Sequence, residues 1–327
     1  MKAMKVMKNT MKHIGITLFM GAALAGNANA NEKQDINFGI ISTESSQNLR
    51  KLWEPFLADM SEKTGHKVNA FFASDYAGII QGMRFDKVDI AWFGNKSAME
   101  AVDRANGEVI YQTIEANGQE GYWSLLITHK DSPLNSVEDV LSQAKDLTFG
   151  NGDPNSTSGY LVPGYYVFAQ NNVDANKIFQ RTLSGSHEMN ALSVANKQVD
   201  VATSNTESLD RLRKTQPEKA KEIKEIWRSP LIPSDPIVWR NNLPPEVKVS
   251  FDEFFSTYGN NTKEQEILAA LEWKQFKKSN NDQLIPIRQL ELFKTRSQIE
   301  NDDTLSAVDK KQKLQDIDLQ LSNLTSQ

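Results

Sequence analysis

Short apolar runs alternate along this chain with longer stretches in which apolar residues recur every three or four positions. The run Ile36-Asn37-Phe38-Gly39 is answered about fifty residues later by Val88-Asp89-Ile90-Ala91, and Leu147-Thr148-Phe149-Gly150 is answered at the same spacing by Val199-Asp200-Val201-Ala202. Each run reads as a strand, and each leads through a polar loop into a helical period. The loops are 42–47, 93–97, 155–158 and 204–207; the helices they open cover about 49–64, 99–106, 159–171 and 209–214. Repeated strand-then-helix order predicts two α/β halves of similar plan, each with a mostly parallel sheet. Ligands on such sheets sit beyond the carboxyl ends of the strands, which is where all four polar loops fall.

Tyr122-Trp123-Ser124-Leu125-Leu126-Ile127 and Ile237-Val238-Trp239 read as strands crossing between the halves. The expected organisation is a discontinuous first lobe, 31–122 with 234–290, a second lobe inserted at 123–233, and a helical extension at 291–327. Pro163-Gly164 falls inside a predicted helix, where a proline costs about 3 kcal/mol, so a kink or a short first helix is expected there. Near the end, Leu314, Ile317, Leu321 and Leu324 recur at steps of three and four in a polar segment. This narrow stripe predicts an amphipathic helix that either packs on its own lobe or pairs with a second copy to make a homodimer.

The N-terminus changes the picture of where the protein works. Lys2, Lys5, Lys8 and Lys12 precede an apolar run over 14–25 and the small-residue sequence Ala28-Asn29-Ala30. This is the form of a secretory signal peptide cleaved after Ala30, and the run is too short to span a membrane. The chain contains no cysteine, so no lipid anchor follows the cleavage site and no disulfide is required; a bacterial periplasm is the expected compartment. The remaining 297 residues carry 33 basic and 42 acidic side chains, a formal charge of −9. That balance argues against nucleic acid or an anionic membrane as partner.

The segment Phe149-Gly150-Asn151-Gly152-Asp153-Pro154-Asn155-Ser156-Thr157-Ser158-Gly159 sets three hydroxyls at the start of a helix directly after a strand. Unpaired backbone N–H groups and the positive end of the helix dipole suit such a place to an oxyanion, although a simple helix cap uses the same residue types. Further candidates are Asp75-Tyr76-Ala77-Gly78, Gly121-Tyr122-Trp123, Ser186-His187-Glu188, and the acids Glu207 and Asp235. Of four histidines one, His13, lies in the leader, and no His or acid cluster has metal-ligand spacing.

Four segments carry a resemblance. These are Asn37 through Ser45, Asp75 through Arg84, Phe149 through Gly159, and Ile232-Pro233-Ser234-Asp235-Pro236-Ile237-Val238-Trp239. Together they closely resemble the phosphonate-binding periplasmic proteins of ABC transporters, over nearly all of the chain except the tail beyond about Phe293. The resemblance implies a type II periplasmic binding protein whose two α/β lobes close on an alkylphosphonate, 2-aminoethylphosphonate above all, for an inner-membrane permease, without a cofactor. It implies that Tyr76, Tyr122, Ser156, Thr157, Ser158 and His187 hold the phosphonate group, with no arginine among them. Glu207 and Asp235 would meet the ligand's ammonium group and disfavour inorganic phosphate. An alternative is an exported phosphonate or phosphate-ester hydrolase, in which Ser156, His187 and an acid form a nucleophile triad.

Overall fold

The computed structural model describes residues 34–325; the expected signal peptide and its cleavage site lie outside the described residues. The first half runs β1 (Ile36–Ile40), α1 (Ser46–Thr64), β2 (Val68–Phe72), α2 (Tyr76–Arg84), β3 (Ile90–Trp92), α3 (Asn95–Arg104) and β4 (Gly107–Glu115). A two-residue strand, β5 (Gly121–Tyr122), leads into β6 (Ser124–His129), α4 (Val137–Gln143), β7 (Thr148–Asn151), α5 (Ala175–Ile178), β8 (Arg181–Ser184), α6 (His187–Ala195) and β9 (Val201–Asn205). After α7 (Thr206–Thr215), α8 (Pro217–Ala220) and β10 (Ile223–Arg228), the chain returns through β11 (Ile232–Pro233) to β12 (Pro236–Arg240). It ends with α9 (Pro245–Thr257), α10 (Thr262–Ala270), β13 (Trp273–Lys278), α11 (Ile285–Glu300) and α12 (Ala307–Thr325).

Two sheets result, with orders β13-β4-β12-β3-β1-β2 and β10-β6-β9-β7-β8. The anticipated repeat is visible at atomic level. β1 lies between β2 and β3, and β7 between β8 and β9, all four pairings parallel. In each half the aspartate before the third strand ties down the first: Asn37 N–H donates to Asp89 at 2.8 Å, and Thr148 N–H to Asp200 at 2.7 Å. Neither sheet is mostly parallel as expected. β12 enters antiparallel between β3 and β4, and β6 enters antiparallel between β9 and β10. The reason is topological: each of these strands arrives from the crossing segments and so runs against the strands built by α/β crossovers.

The crossing is made by β5 and β11, which pair antiparallel through Ile232–Tyr122 and Pro233–Gly121. A Cβ on Gly121 would lie 2.3 Å from the Ile232 carbonyl oxygen, so only glycine allows this approach. The strand expected over 122–127 is therefore divided at Trp123, one piece crossing and the other joining the second sheet.

The first lobe is packed around an aromatic cluster in which Trp53 lies 5.3 Å from both Trp92 and Trp273, and Phe56 lies 5.2 Å from Tyr258. The second sheet is covered on both faces by smaller cores, one around Phe149, Phe168 and Phe179 and the other around Leu125, Ile127 and Val194. At the C-terminus, Ile317 is buried while Leu314, Leu321 and Leu324 are half-buried, and α12 folds back against α11. Lys310 donates to the Glu300 carbonyl at 3.1 Å, and Arg296 pairs with Asp318. The apolar stripe is thus engaged within its own chain.

The helical stretch after the hydroxyl loop is continuous, but the disturbance expected at Pro163-Gly164 takes another form. Wide, π-type turns cover Thr157–Leu161 and Gly164–Phe168 on either side of the proline. Lacking an N–H, Pro163 leaves carbonyls in the preceding turn to find partners elsewhere. Ser158 O accepts from Ser124 Oγ at 2.5 Å, while Gly159 O accepts from Gly152 N at 3.0 Å and Thr203 Oγ1 at 2.8 Å. These bonds fasten the loop to β6 and β9.

Candidate ligand-binding site

All four polar loops reach one small cavity between the lobes, ≈ 20 Å³, with Thr43, Gly94, Ser156–Ser158, Asn205, Glu207 and Ser208 in its wall. Polar residues ahead of the helices around it cap those helices. Asp75 accepts from Gly78 N at 2.8 Å, Asn205 from Ser208 N at 2.8 Å, and Ser186 from Met189 N at 3.2 Å. Capping fixes the loops, and the loops fix Tyr76, His187 and Glu207 near the starts of α2, α6 and α7.

The lobes are closed on one another. Lys96 N–H donates to Thr157 Oγ1 at 2.9 Å, and Tyr76 N–H donates to Asp153 at 3.1 Å. At the rim Glu188 accepts from Ser45 N at 2.9 Å and Asn48 Nδ2 at 2.7 Å, beside an Arg211–Glu44 ion pair of 2.6 Å. Thr157 therefore joins the start of α3 in the first lobe to the hydroxyl loop in the second.

Within the loop each hydroxyl oxygen already accepts a bond. Ser156 Oγ accepts from Gly159 N at 2.9 Å, Thr157 Oγ1 from Lys96 N, and Ser158 Oγ from Asn205 Nδ2 at 3.1 Å. What each has left to offer is its O–H proton. Gly152 makes the tight packing possible, because a Cβ there would fall 2.5 Å from the backbone of Gly159. Tyr76 is buried and its hydroxyl bonds to the Ser156 side chain; burial holds that phenol well above its ordinary range, so it remains a neutral donor.

His187 is buried with Nε2 3.4 Å from both Ser156 Oγ and Ser158 Oγ. Burial, then the charge of Arg211, pushes its pKa down to about 4, so the ring is neutral near pH 7. Its Nδ1 is buried without a hydrogen-bond partner among the described residues. A nucleophile triad needs an acid on that nitrogen to orient the ring and support the imidazolium. The hydrolase alternative lacks this third member.

Tyr122, expected among the phosphonate donors, lines the cavity and gives its hydroxyl to Asp235 Oδ1 at 2.9 Å. Glu207 and Asp235 line the same cavity. A third acid, Glu115 at the end of β4, escaped the sequence reading. It is buried, accepts from Ser234 Oγ at 3.1 Å, and lines a neighbouring cavity together with Glu207. Burial pushes Glu207 up to about 7, against the opposing pull of Arg211. Burial together with the charges of Glu207 and Asp235 pushes Glu115 up to about 10, and Asp235 is raised well above its ordinary value by burial and then by Glu207. The acids destabilise one another and favour a cation between them. Among the described residues no group of three or more His, Asp or Glu side chains could hold a metal ion.

Arg211 was also unforeseen in the cavity wall. It stands four residues after Glu207 on α7, one helical turn away, and its charge is engaged by Glu44. Its Nε and the Thr43 hydroxyl are buried without a hydrogen-bond partner among the described residues. Unsatisfied buried polar atoms around a single cavity are what a polar ligand would satisfy.

A family model for the periplasmic substrate-binding proteins of phosphonate ABC transporters matches residues 38–284. The chain belongs to this family. The phosphonates-binding periplasmic protein of Escherichia coli (strain K12) is 59% identical over 309 residues, 94% of this chain and 91% of that protein. The binding protein component of an ABC phosphonate transporter from Pseudomonas aeruginosa has a TM-score of 0.89 at 65% identity, covering 90% of this chain and 97% of its own. A Prochlorococcus marinus protein solved with methylphosphonate shares the fold, with a TM-score of 0.70 at 23% identity over 78% of this chain and 96% of its own. The architecture is that of a type II periplasmic binding protein. This phosphonate-binding protein is accordingly a periplasmic transporter component and not an enzyme.

Proposed function

We propose that the protein captures alkylphosphonates bearing an amino group, 2-aminoethylphosphonate in particular, by closing its lobes, and presents them to the permease of its transporter after export and cleavage at Ala30. Ser156, Thr157, Ser158, Tyr76 and His187 are read as the donors for the phosphonate oxygens, with Tyr122 set between the two ends of the ligand. Glu207 and Asp235 are read as the partners of the ammonium group.

The observation that carries this reading is the pairing of opposites in one enclosed space. Hydroxyls with O–H protons to donate and carboxyls that resist ionisation share its wall. A phosphonate answers the first and an ammonium group the second. Inorganic phosphate answers only the first, and would bring negative charge toward the acids. The small interlobe volume supports entry while the lobes are apart, followed by closure through the Glu188 and Arg211 contacts.

Isothermal titration with 2-aminoethylphosphonate, methylphosphonate, phosphite and phosphate tests the proposal. The aminoalkyl ligand is expected to bind tightest. Equal affinity for methylphosphonate would remove the ammonium site from the reading, and release of phosphate during the titration would contradict capture without chemistry.

A further inference from the structure

Thr43 stands just beyond the carboxyl end of β1 and lines the small interlobe cavity from the first lobe. It is only 7% exposed, and its hydroxyl is buried without a hydrogen-bond partner among the described residues. Its backbone is engaged on both sides. Thr43 N–H donates to the Ile41 carbonyl at 2.9 Å, closing a three-residue turn, and the Thr43 carbonyl accepts from Glu188 N–H at 3.2 Å. The side-chain O–H is what the residue has left to offer, and burying it without a partner is costly. We propose that Thr43 is a further ligand-binding residue, whose hydroxyl donates to an oxygen of the phosphonate headgroup from the lobe opposite the hydroxyl loop. This rests on reading Ser156, Thr157, Ser158 and His187 as headgroup donors.

Neighbouring contacts set Thr43 beside the proposed headgroup donors. Glu188, which donates to the Thr43 carbonyl, directly follows His187, and His187 Nε2 lies 3.4 Å from both Ser156 Oγ and Ser158 Oγ. The acid next to Thr43 in the chain, Glu44, is paired with Arg211 at 2.6 Å and takes nothing from the Thr43 hydroxyl. Arg211 lines the same cavity, so these surroundings suit an anion. Among the headgroup donors already named, only Tyr76 comes from the first lobe, and its hydroxyl bonds to the Ser156 side chain. Thr43 adds a first-lobe donor that no protein group occupies. Its side chain is short and its backbone is held in a turn, so little freedom is lost when the bond forms. A headgroup held by the second lobe and bonded to Thr43 becomes a bridge between the lobes, and its donor set is complete only when they close.

The test compares Thr43→Val, which removes the hydroxyl at similar volume, with Thr43→Ser, which keeps it. Both variants are titrated with 2-aminoethylphosphonate and methylphosphonate. Thr43→Val is expected to weaken the two ligands by the same factor, about three- to tenfold, the loss of one hydrogen bond; Thr43→Ser should stay within about twofold of the wild type. Thermal unfolding supplies a readout of opposite sign. Without ligand, Thr43→Val should melt at or above the wild type, because an unsatisfied buried hydroxyl is gone, while its rise in melting temperature with a given ligand concentration should be smaller. Wild-type affinity in Thr43→Val would overturn the proposal, as would equal losses in the valine and serine variants. A loss confined to 2-aminoethylphosphonate would overturn it by placing Thr43 at the tail, and a ligand-free Thr43→Val that melts well below the wild type would show that the hydroxyl serves the fold. Thr157→Ala reports on the parent reading separately: full affinity in that variant would remove the hydroxyl loop from the site, whatever the Thr43 variants show.

Discussion

In the cavity wall the oxygens of Ser156, Thr157 and Ser158 are each supplied with a donor from the protein, whereas Glu207 and Asp235 in the same wall, with Glu115 next to it, crowd together with the nearby cations engaged elsewhere. The hydroxyl end is satisfied before any ligand arrives and is rigid for that reason. The acid end is held at a cost, and a cation relieves it. The difference assigns separate tasks: the first recognises a headgroup by geometry, and the second selects among headgroup carriers by charge.

The largest expected break in this comparison comes from the acids. Glu207→Gln and Asp235→Asn should each weaken 2-aminoethylphosphonate by roughly 10–100-fold, corresponding to about 1.5–3 kcal/mol for a hydrogen bond to a charged group. Methylphosphonate should change little, and titration of both ligands gives the ratio directly. Gly152→Ala attacks the other end. Its methyl group would meet Gly159 backbone at 2.5 Å, so a loss of about 1–3 kcal/mol in folding stability is expected by denaturant titration, with all phosphonates weakened together.

Thr157→Ala should have a smaller effect, about 0.5–1.5 kcal/mol of binding free energy, equal for every phosphonate. It also removes the acceptor for Lys96 N–H, so the closed form should become less populated, as small-angle scattering with ligand present would detect.

The pH response sharpens the contrast because the two ends respond with opposite sign. Glu207 has its folded pKa raised from 4.5 to about 7, so the stability it contributes is fully present below 4.5 and is lost as pH rises through about 7. His187 has its folded pKa lowered from 6.5 to about 4, so its contribution is fully present above 6.5 and is lost as pH falls toward about 4. Thermal unfolding without ligand should therefore show Glu207→Gln gaining on the wild type more at pH 8 than at pH 5. The smallest effect is expected from deleting α12, which should leave ligand affinity unchanged while sedimentation reports the assembly state.

The loops were legible because their signals are local: a strand, a glycine, and capping residues ahead of a helical period. Tyr76, Ser156–Ser158, His187, Glu207 and Asp235 all lie within or beside such signals and reach one cavity. Glu115 was not legible, since its part depends on β4 ending beside Ser234, a neighbour 119 residues away. β4 itself mixes polar and apolar residues without clean alternation, because it is paired on both sides and covered by helices. Arg211 falls in line with Glu207 only once α7 is known to point that face at the cleft. The destination of Tyr122's hydroxyl likewise depends on how β5 and β11 pair, which local sequence does not encode.

Gly152 and Gly159 meet back to back, each filling the space a side chain on the other would need. In evolutionary terms the headgroup loop is mutationally locked, because neither residue can gain a side chain alone and no single step leads from this backbone to a different one. The carboxyls opposite carry no such lock: each can change singly while the loop keeps its shape. New ligand preferences in this scaffold are therefore expected to arise at the tail end first.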